Sequence, residues 1–156
     1  FEIDGVYTMT DTVTMVASLG YVHSKYKNLI SDLTGDFIID ALDYALEVPR
    51  AAPLTYSLGF NIDGNLGTWR SITRISYYHR DKSYYNENNQ GFINEQDILN
   101  FGYDIYSSDG KINIGIYGKN LSNEVKHGGD TNLSFGGTFA PLAKGKIVGA
   151  ELVYKF

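Results

Sequence analysis

The chain has 156 residues and a mass of 17.4 kDa, enough for one domain with a sizeable core. Its 13 Tyr, 8 Phe and 17 Gly against 3 Pro favour strands and turns over long helices, and the absence of Cys removes disulfides, thiolate chemistry and cysteine-based zinc sites. A net charge of -5 argues against a general nucleic-acid binder; no run reaches the roughly 18 apolar residues of a membrane-spanning helix, but a membrane strand needs only about 9 to 11 residues, every second one facing lipid.

In chain order, the first alternating run places Phe1, Ile3, Tyr7 and Met9 on one parity and Glu2, Asp4 and Thr8 on the other, ending at Thr10-Asp11-Thr12. Val13, Met15, Ala17, Leu19 and Tyr21 continue the apolar parity as the return strand of a hairpin. After a long interval Leu54, Tyr56, Leu58, Phe60 and Ile62 make a third strand, with a turn predicted at Asp63-Gly64-Asn65. Trp69, Ile75 and Tyr77 share a face of the fourth, opposite Arg70 and Arg74. Leu99, Phe101, Tyr103 and Ile105 form the fifth; Ser107-Ser108-Asp109-Gly110 turns it into Ile112, Ile114 and Ile116 of the sixth. Val148, Ala150, Leu152, Tyr154 and Phe156 close a seventh.

Short connections (10–12, 63–67, 107–111) alternate strictly with long ones (28–53, 79–97, 121–145). In an up-and-down sheet this gathers the turns at one end and the loops at the other, as in outer-membrane barrels. Aromatics mark both ends of the apolar parity, as two interfacial girdles would. The opposite parity carries Arg70, Arg74, Asp104, Lys119, Glu151 and Lys155, which suit a wet or plugged lumen. Apolar therefore reads as outside and lipid-facing. Parity alone does not say which face is the core, so a soluble sandwich, a stand-alone structural or adhesive β-domain, is the alternative.

Three segments resemble the TonB-dependent receptors of the bacterial outer membrane. Tyr117-Gly118-Lys119-Asn120-Leu121-Ser122-Asn123-Glu124 is similar to the segment that ends their penultimate strand. Gly136-Gly137-Thr138-Phe139-Ala140-Pro141 resembles their last extracellular loop, with Lys144 or Lys146 where an arginine is often found. Gly149-Ala150-Glu151-Leu152-Val153-Tyr154-Lys155-Phe156 resembles their closing strand. The resemblance implies an all-β, antiparallel up-and-down transmembrane barrel of about 22 strands, of which residues 1–156 hold the last seven. It further implies a plug outside this sequence, energy delivered through TonB and import of a scarce solute such as a ferric siderophore. Long loops would be extracellular and the C-terminus periplasmic. Tyr154 and Phe156 would be the signal read by the barrel-assembly machinery, and Arg70, Arg74, Asp104 and Glu151 would face lumen or plug. An odd strand count and a start at Phe1 fit a truncated chain, whose open edges must be paired before the sheet enters lipid.

For ligand binding, Tyr77, Tyr78, His79, Arg80, Tyr84 and Tyr85, with Lys82, form an aromatic and basic cluster suited to stack on an iron chelate and attract its charge. Asp36, Asp40, Asp43 and Glu47 would share one solvated face of a helix within the first long loop, where residues 37–46 have helix-compatible composition. His23, His79 and His127 read as surface histidines, with no metal-binding spacing. No nucleophile elbow, phosphate loop or zinc helix appears, so neither catalysis nor a cofactor is expected.

Overall fold

The computed structural model describes residues 1–126, 131–133 and 137–156. His127, Gly128, Gly129 and Gly136 lie outside the described residues. The elements in chain order are β1 (Glu2–Thr10), β2 (Val13–Tyr21), α1 (Ala41–Tyr44), β3 (Leu54–Leu66), β4 (Trp69–Arg80), β5 (Ser83–Tyr84), β6 (Phe92–Ile93), β7 (Gln96–Tyr106), β8 (Ile112–Lys119), β9 (Thr131–Leu133), β10 (Gly137–Phe139) and β11 (Ile147–Tyr154). Seven of them form one sheet in the order β1-β2-β3-β4-β7-β8-β11, with every neighbouring pair antiparallel. The short pairs β5-β6 and β9-β10 are ribbons within the long loops.

Paired residues share a face, so register carries the period-two pattern across the sheet. One row runs Tyr7, Met15, Phe60, Ile75, Phe101; the row beside it runs Thr8, Thr14, Asn61, Arg74, Gly102, Tyr117, Gly149. An apolar face and a polar face result. No second sheet packs on either one among the described residues, which removes the sandwich alternative. Ile93 is the one buried large apolar side chain described, while Ile3, Leu58, Ile75, Ile114, Ile116 and Leu152 are exposed. The accessible surface is 10638 Å², against about 7,900 Å² for a compact monomer of this mass. A sheet that buries so little has its faces and its two edges, β1 and β11, completed by something else.

The hairpin between β3 and β4 is longer than the sequence suggests. Asp63, Gly64 and Asn65 stay in the strand, opposite Ile72, Ser71 and Arg70, and the turn is Gly67-Thr68. Gly67 takes the positive φ (62°) that a two-residue hairpin needs at its first position, and an Arg70–Asp63 ion pair at 2.6 Å extends the ladder. Asp63-Gly64-Asn65 was the better turn by composition; cross-strand pairing outweighed it.

The acidic helix is also corrected. Among the described residues helix is confined to Ala41–Tyr44, capped by Asp40, and Asp43 is its buried residue. One Asp43 oxygen accepts from the Leu33 and Thr34 amides (2.7 and 3.0 Å), the other from the Asp40 amide (2.9 Å). These bonds, the Asp40 amide first, hold its carboxyl below the usual carboxylate range despite burial. Asp32 likewise takes the Gly35 and Phe37 amides. Short acidic side chains compete for backbone donors, so this stretch folds as a knot of turns and lacks the stripe of four carboxylates.

Candidate functional site

The polar face carries a hollow of about 430 Å³ between β4, β7, β8 and β11. Its row pattern explains it: Gly102, Gly115 and Gly149 contribute no side chains where Arg74, Asp104, Tyr117 and Glu151 meet. Arg74 pairs with Asp104 across β4 and β7, and Tyr117 lies over Gly149, where an added Cβ would come within 2.5 Å of its ring. Lys119 and Glu151 complete the wall, and Asn100 donates to Ser76 at 3.3 Å. Three of the predicted lumen residues, Arg74, Asp104 and Glu151, are thus brought together; Arg70 stands apart at the short-turn end with Asp63. Tyr154 falls on the apolar face opposite Ile112, its ring edge-on to Phe156 at 5.0 Å.

The predicted aromatic cluster does not stay together. Tyr77 and His79 pair with Leu58 and Tyr56 and belong to the apolar face, whereas Tyr78 and Arg80 pair with Ser57 and Thr55 on the polar face. Consecutive strand residues point to opposite sides, and a cluster read from sequence proximity ignores that. On the apolar side His79 stacks on Tyr56 (4.7 Å between ring centroids). Its Nδ1 meets Asp97 at 2.7 Å and its Nε2 meets Asp81 at 3.0 Å, while the Tyr77 hydroxyl donates to Asp97 at 2.5 Å. The predicted surface histidine is instead half-buried in a polar clamp between β4 and β7 at the loop end. On the polar side, the Arg80 guanidinium donates to the Asn94 carbonyl at 3.4 Å, and its buried Nε has no hydrogen-bond acceptor.

Tyr84 and Tyr85 sit in the second loop, under cations that the sequence did not single out for both rings. Lys82 lies 5.1 Å from the Tyr84 ring centre and 4.5 Å from that of Phe92, and Arg50 of the first loop covers Tyr85 at 4.7 Å. The two loops are joined: the Arg50 amide donates to the Tyr84 carbonyl at 2.7 Å, and Asn89 exchanges bonds of 2.8 and 2.9 Å with the Glu47 backbone. Asn89 and Arg50, both at positive φ, are the residues that sequence reasoning missed. An Asn in an Asn-rich loop is the weak signal that was available.

The Asn-Leu-Ser segment has a structural task. Asn120, at φ 50°, is buried; its side-chain amide donates to the Glu124 and Lys144 carbonyls (3.0 and 2.8 Å) and its oxygen accepts from the Glu124 amide at 2.9 Å. Its own amide donates to Asn100 at 3.0 Å, which fixes the exit of β8 against β7 and the approach to β11. Beside it, Glu124 at 2.6 Å holds the Lys126 ammonium above the usual lysine range.

A single antiparallel sheet with one apolar face, one polar face, turns at one end and loops at the other is part of a β-barrel wall. No protein-family model and no curated protein matches the sequence. Among solved structures, the chain is similar to the ferric yersiniabactin uptake receptor FyuA from Yersinia pestis, with a TM-score of 0.80 and 15% sequence identity. The match covers 99% of this chain and 23% of that receptor. At that identity the likeness establishes the fold, over less than a quarter of the neighbour's length.

Proposed function

We propose that this chain is the closing seven-strand wall of an outer-membrane receptor of the TonB-dependent kind, which imports a scarce solute, a ferric siderophore or related iron complex. The observation that supports the reading is the coreless sheet with an exposed apolar face, superposable almost entirely on part of the ferric yersiniabactin uptake receptor. In this reading the apolar face meets outer-membrane lipid, β1 and β11 pair with the remainder of the barrel, and the Arg74–Asp104–Glu151 hollow faces the plug. The long loops stand outside the cell and the C-terminus in the periplasm, where Tyr154 and Phe156 are offered to the barrel-assembly machinery. Tyr78 and Arg80, with Tyr84, Tyr85, Arg50 and Lys82 in the joined loops, contact an anionic aromatic chelate; Tyr77 and His79, on the other face, belong to the membrane interface.

Two measurements test this. The native polypeptide carrying this C-terminus, isolated from outer membranes, is expected to have a mass several times 17.4 kDa. A mature chain of 17.4 kDa would reject the receptor reading. Deletion of the gene is expected to abolish energy-dependent uptake of one labelled iron chelate from a panel, and unchanged uptake of all of them would reject the iron assignment.

A further inference from the structure

The neck of the second long loop is closed by hydrogen bonds that need one more proton than a neutral histidine carries. Both ring nitrogens of His79 face carboxylate oxygens, Nδ1 that of Asp97 at 2.7 Å and Nε2 that of Asp81 at 3.0 Å. A carboxylate only accepts, and a neutral imidazole has one N–H and one lone pair, so both contacts hold together only when the ring carries both protons. Tyr56 of β3 stacks on the ring and favours its cationic form, and the Tyr77 hydroxyl donates to the same Asp97 oxygen at 2.5 Å. The other charges beside the clamp, among the described residues, are Lys126, whose field reaches Asp97, and its partners Glu124 at 2.6 Å and Glu95 at 3.8 Å. Arg80 lies on the opposite face. β3, β4 and β7 are interior strands with both neighbours present in the sheet, so the clamp is complete within this chain and no further strand enters it.

Loss of one proton breaks the clamp on a definite side. The remaining N–H stays at Nδ1, on the shorter contact to Asp97, and the bare Nε2 then opposes the Asp81 oxygen, acceptor against acceptor. Asp81 is the first residue after β4, and its amide is tied to the Leu54 carbonyl at 2.9 Å. Beyond it the β5-β6 ribbon carries Tyr84, whose carbonyl holds the Arg50 amide of the first loop. We propose that His79 is a proton-operated latch: protonated, it fastens the neck of the second loop and, through Arg50, the first; deprotonated, it releases Asp81 and both loops loosen. The latch is closed while the ring is charged and opens as pH rises through the titration of the ring. The inference rests on the receptor reading only in taking these joined loops for the ones that contact the solute, whose capture is then tighter in acid medium.

The test follows hydrogen exchange in the native full-length polypeptide in bilayers from about pH 5 to about pH 9, with amide rates corrected for the intrinsic pH dependence of exchange. No solute is added, so the result stands whether or not the receptor reading does. Exchange at the Asp81 and Arg50 amides is expected to rise about tenfold or more, with the midpoint at which the His79 ring itself titrates, read from exchange at its Cε1 hydrogen. The Val13 and Ile112 amides at the turn end are expected to keep their protection. Asp81→Asn supplies a carboxamide that donates to the bare Nε2 and accepts from the protonated one, and is expected to hold the loops closed across the whole range. His79→Phe is expected to leave them loose throughout; if that variant does not assemble, Asp81→Asn decides alone. Protection that ignores pH in the unaltered protein, a midpoint apart from that of the ring, an equal change at the turn end, a closed His79→Phe variant, or an Asp81→Asn variant that still opens at high pH would each overturn the latch.

Discussion

The two ends of the sheet are held by different means. At the turn end each hairpin closes mainly on itself: Thr10 Oγ1 accepts the Val13 amide at 3.1 Å, Gly67 opens a two-residue hairpin, and Ser107 and Asp109 bind each other and the Lys111 and Ile112 amides, while the Ser108 hydroxyl reaches across to the Thr68 carbonyl at 2.7 Å. The Ser107 hydroxyl first, and then the Lys111 amide, keep the Asp109 carboxyl below its usual range. At the loop end, closure is long-range. Glu47 meets Asn89, Arg50 meets Tyr84, and Asn120 meets Lys144. A local closure survives changes elsewhere in the chain; a long-range one fails at any member, which makes the loop end the place where single substitutions unfasten large segments.

The faces give the largest contrast to break. In the full-length protein in bilayers, Phe60→Lys on the apolar face is expected to destabilise by about 2–4 kcal/mol and Thr14→Lys, one row away on the polar face, by less than about 1 kcal/mol, read from urea titrations of folding. Equal costs would dissolve the distinction between faces. Next comes Asn120→Ala, which strips two donated bonds and one accepted from a buried turn. A loss of about 2 kcal/mol is expected, with faster hydrogen exchange at the Glu124 amide. Smaller, about 1 kcal/mol, is the effect of Asn89→Ala, whose signature is loss of exchange protection at Glu47 and Arg50 while the Ser107 turn is unchanged.

The smallest effect is a pH dependence confined to the first loop. Asp43 has a depressed carboxyl pKa in the folded loop, so its contribution is complete above the ordinary carboxylate range. That contribution is lost as pH falls through the ordinary value and then through the lower folded one. Proteolytic nicking within residues 30–47 is expected to rise as pH drops through the carboxylate range, and Asp43→Asn is expected to flatten that profile.

The same contrast governs what was legible in the sequence. The seven strands, their parity and the alternation of short and long connections follow from side-chain periodicity, a local property, and the structure reproduces them. Asp63-Gly64-Asn65 misled because turn chemistry is also local, yet Arg70 and Trp69 across the hairpin decide where the turn falls. The acidic stripe misled because spacing says nothing about which backbone amides a carboxylate will capture. In the candidate site, Arg74, Asp104 and Glu151 were found through parity. The Tyr77–Arg80 cluster was divided by that same parity, which proximity in sequence had hidden. Arg50 and Asn89 act through partners tens of residues away and left no mark short of the fold.

The central claim is that the apolar face of this sheet meets lipid and the polar face does not. Single spin labels placed in turn at Ser57, Leu58, Gly59, Phe60, Asn61 and Ile62 of the full-length protein in bilayers test it directly. Oxygen accessibility is expected to peak at Leu58, Phe60 and Ile62 and to fall at the three positions between, giving a period of two. A flat profile, or one with the phase reversed, would contradict the account.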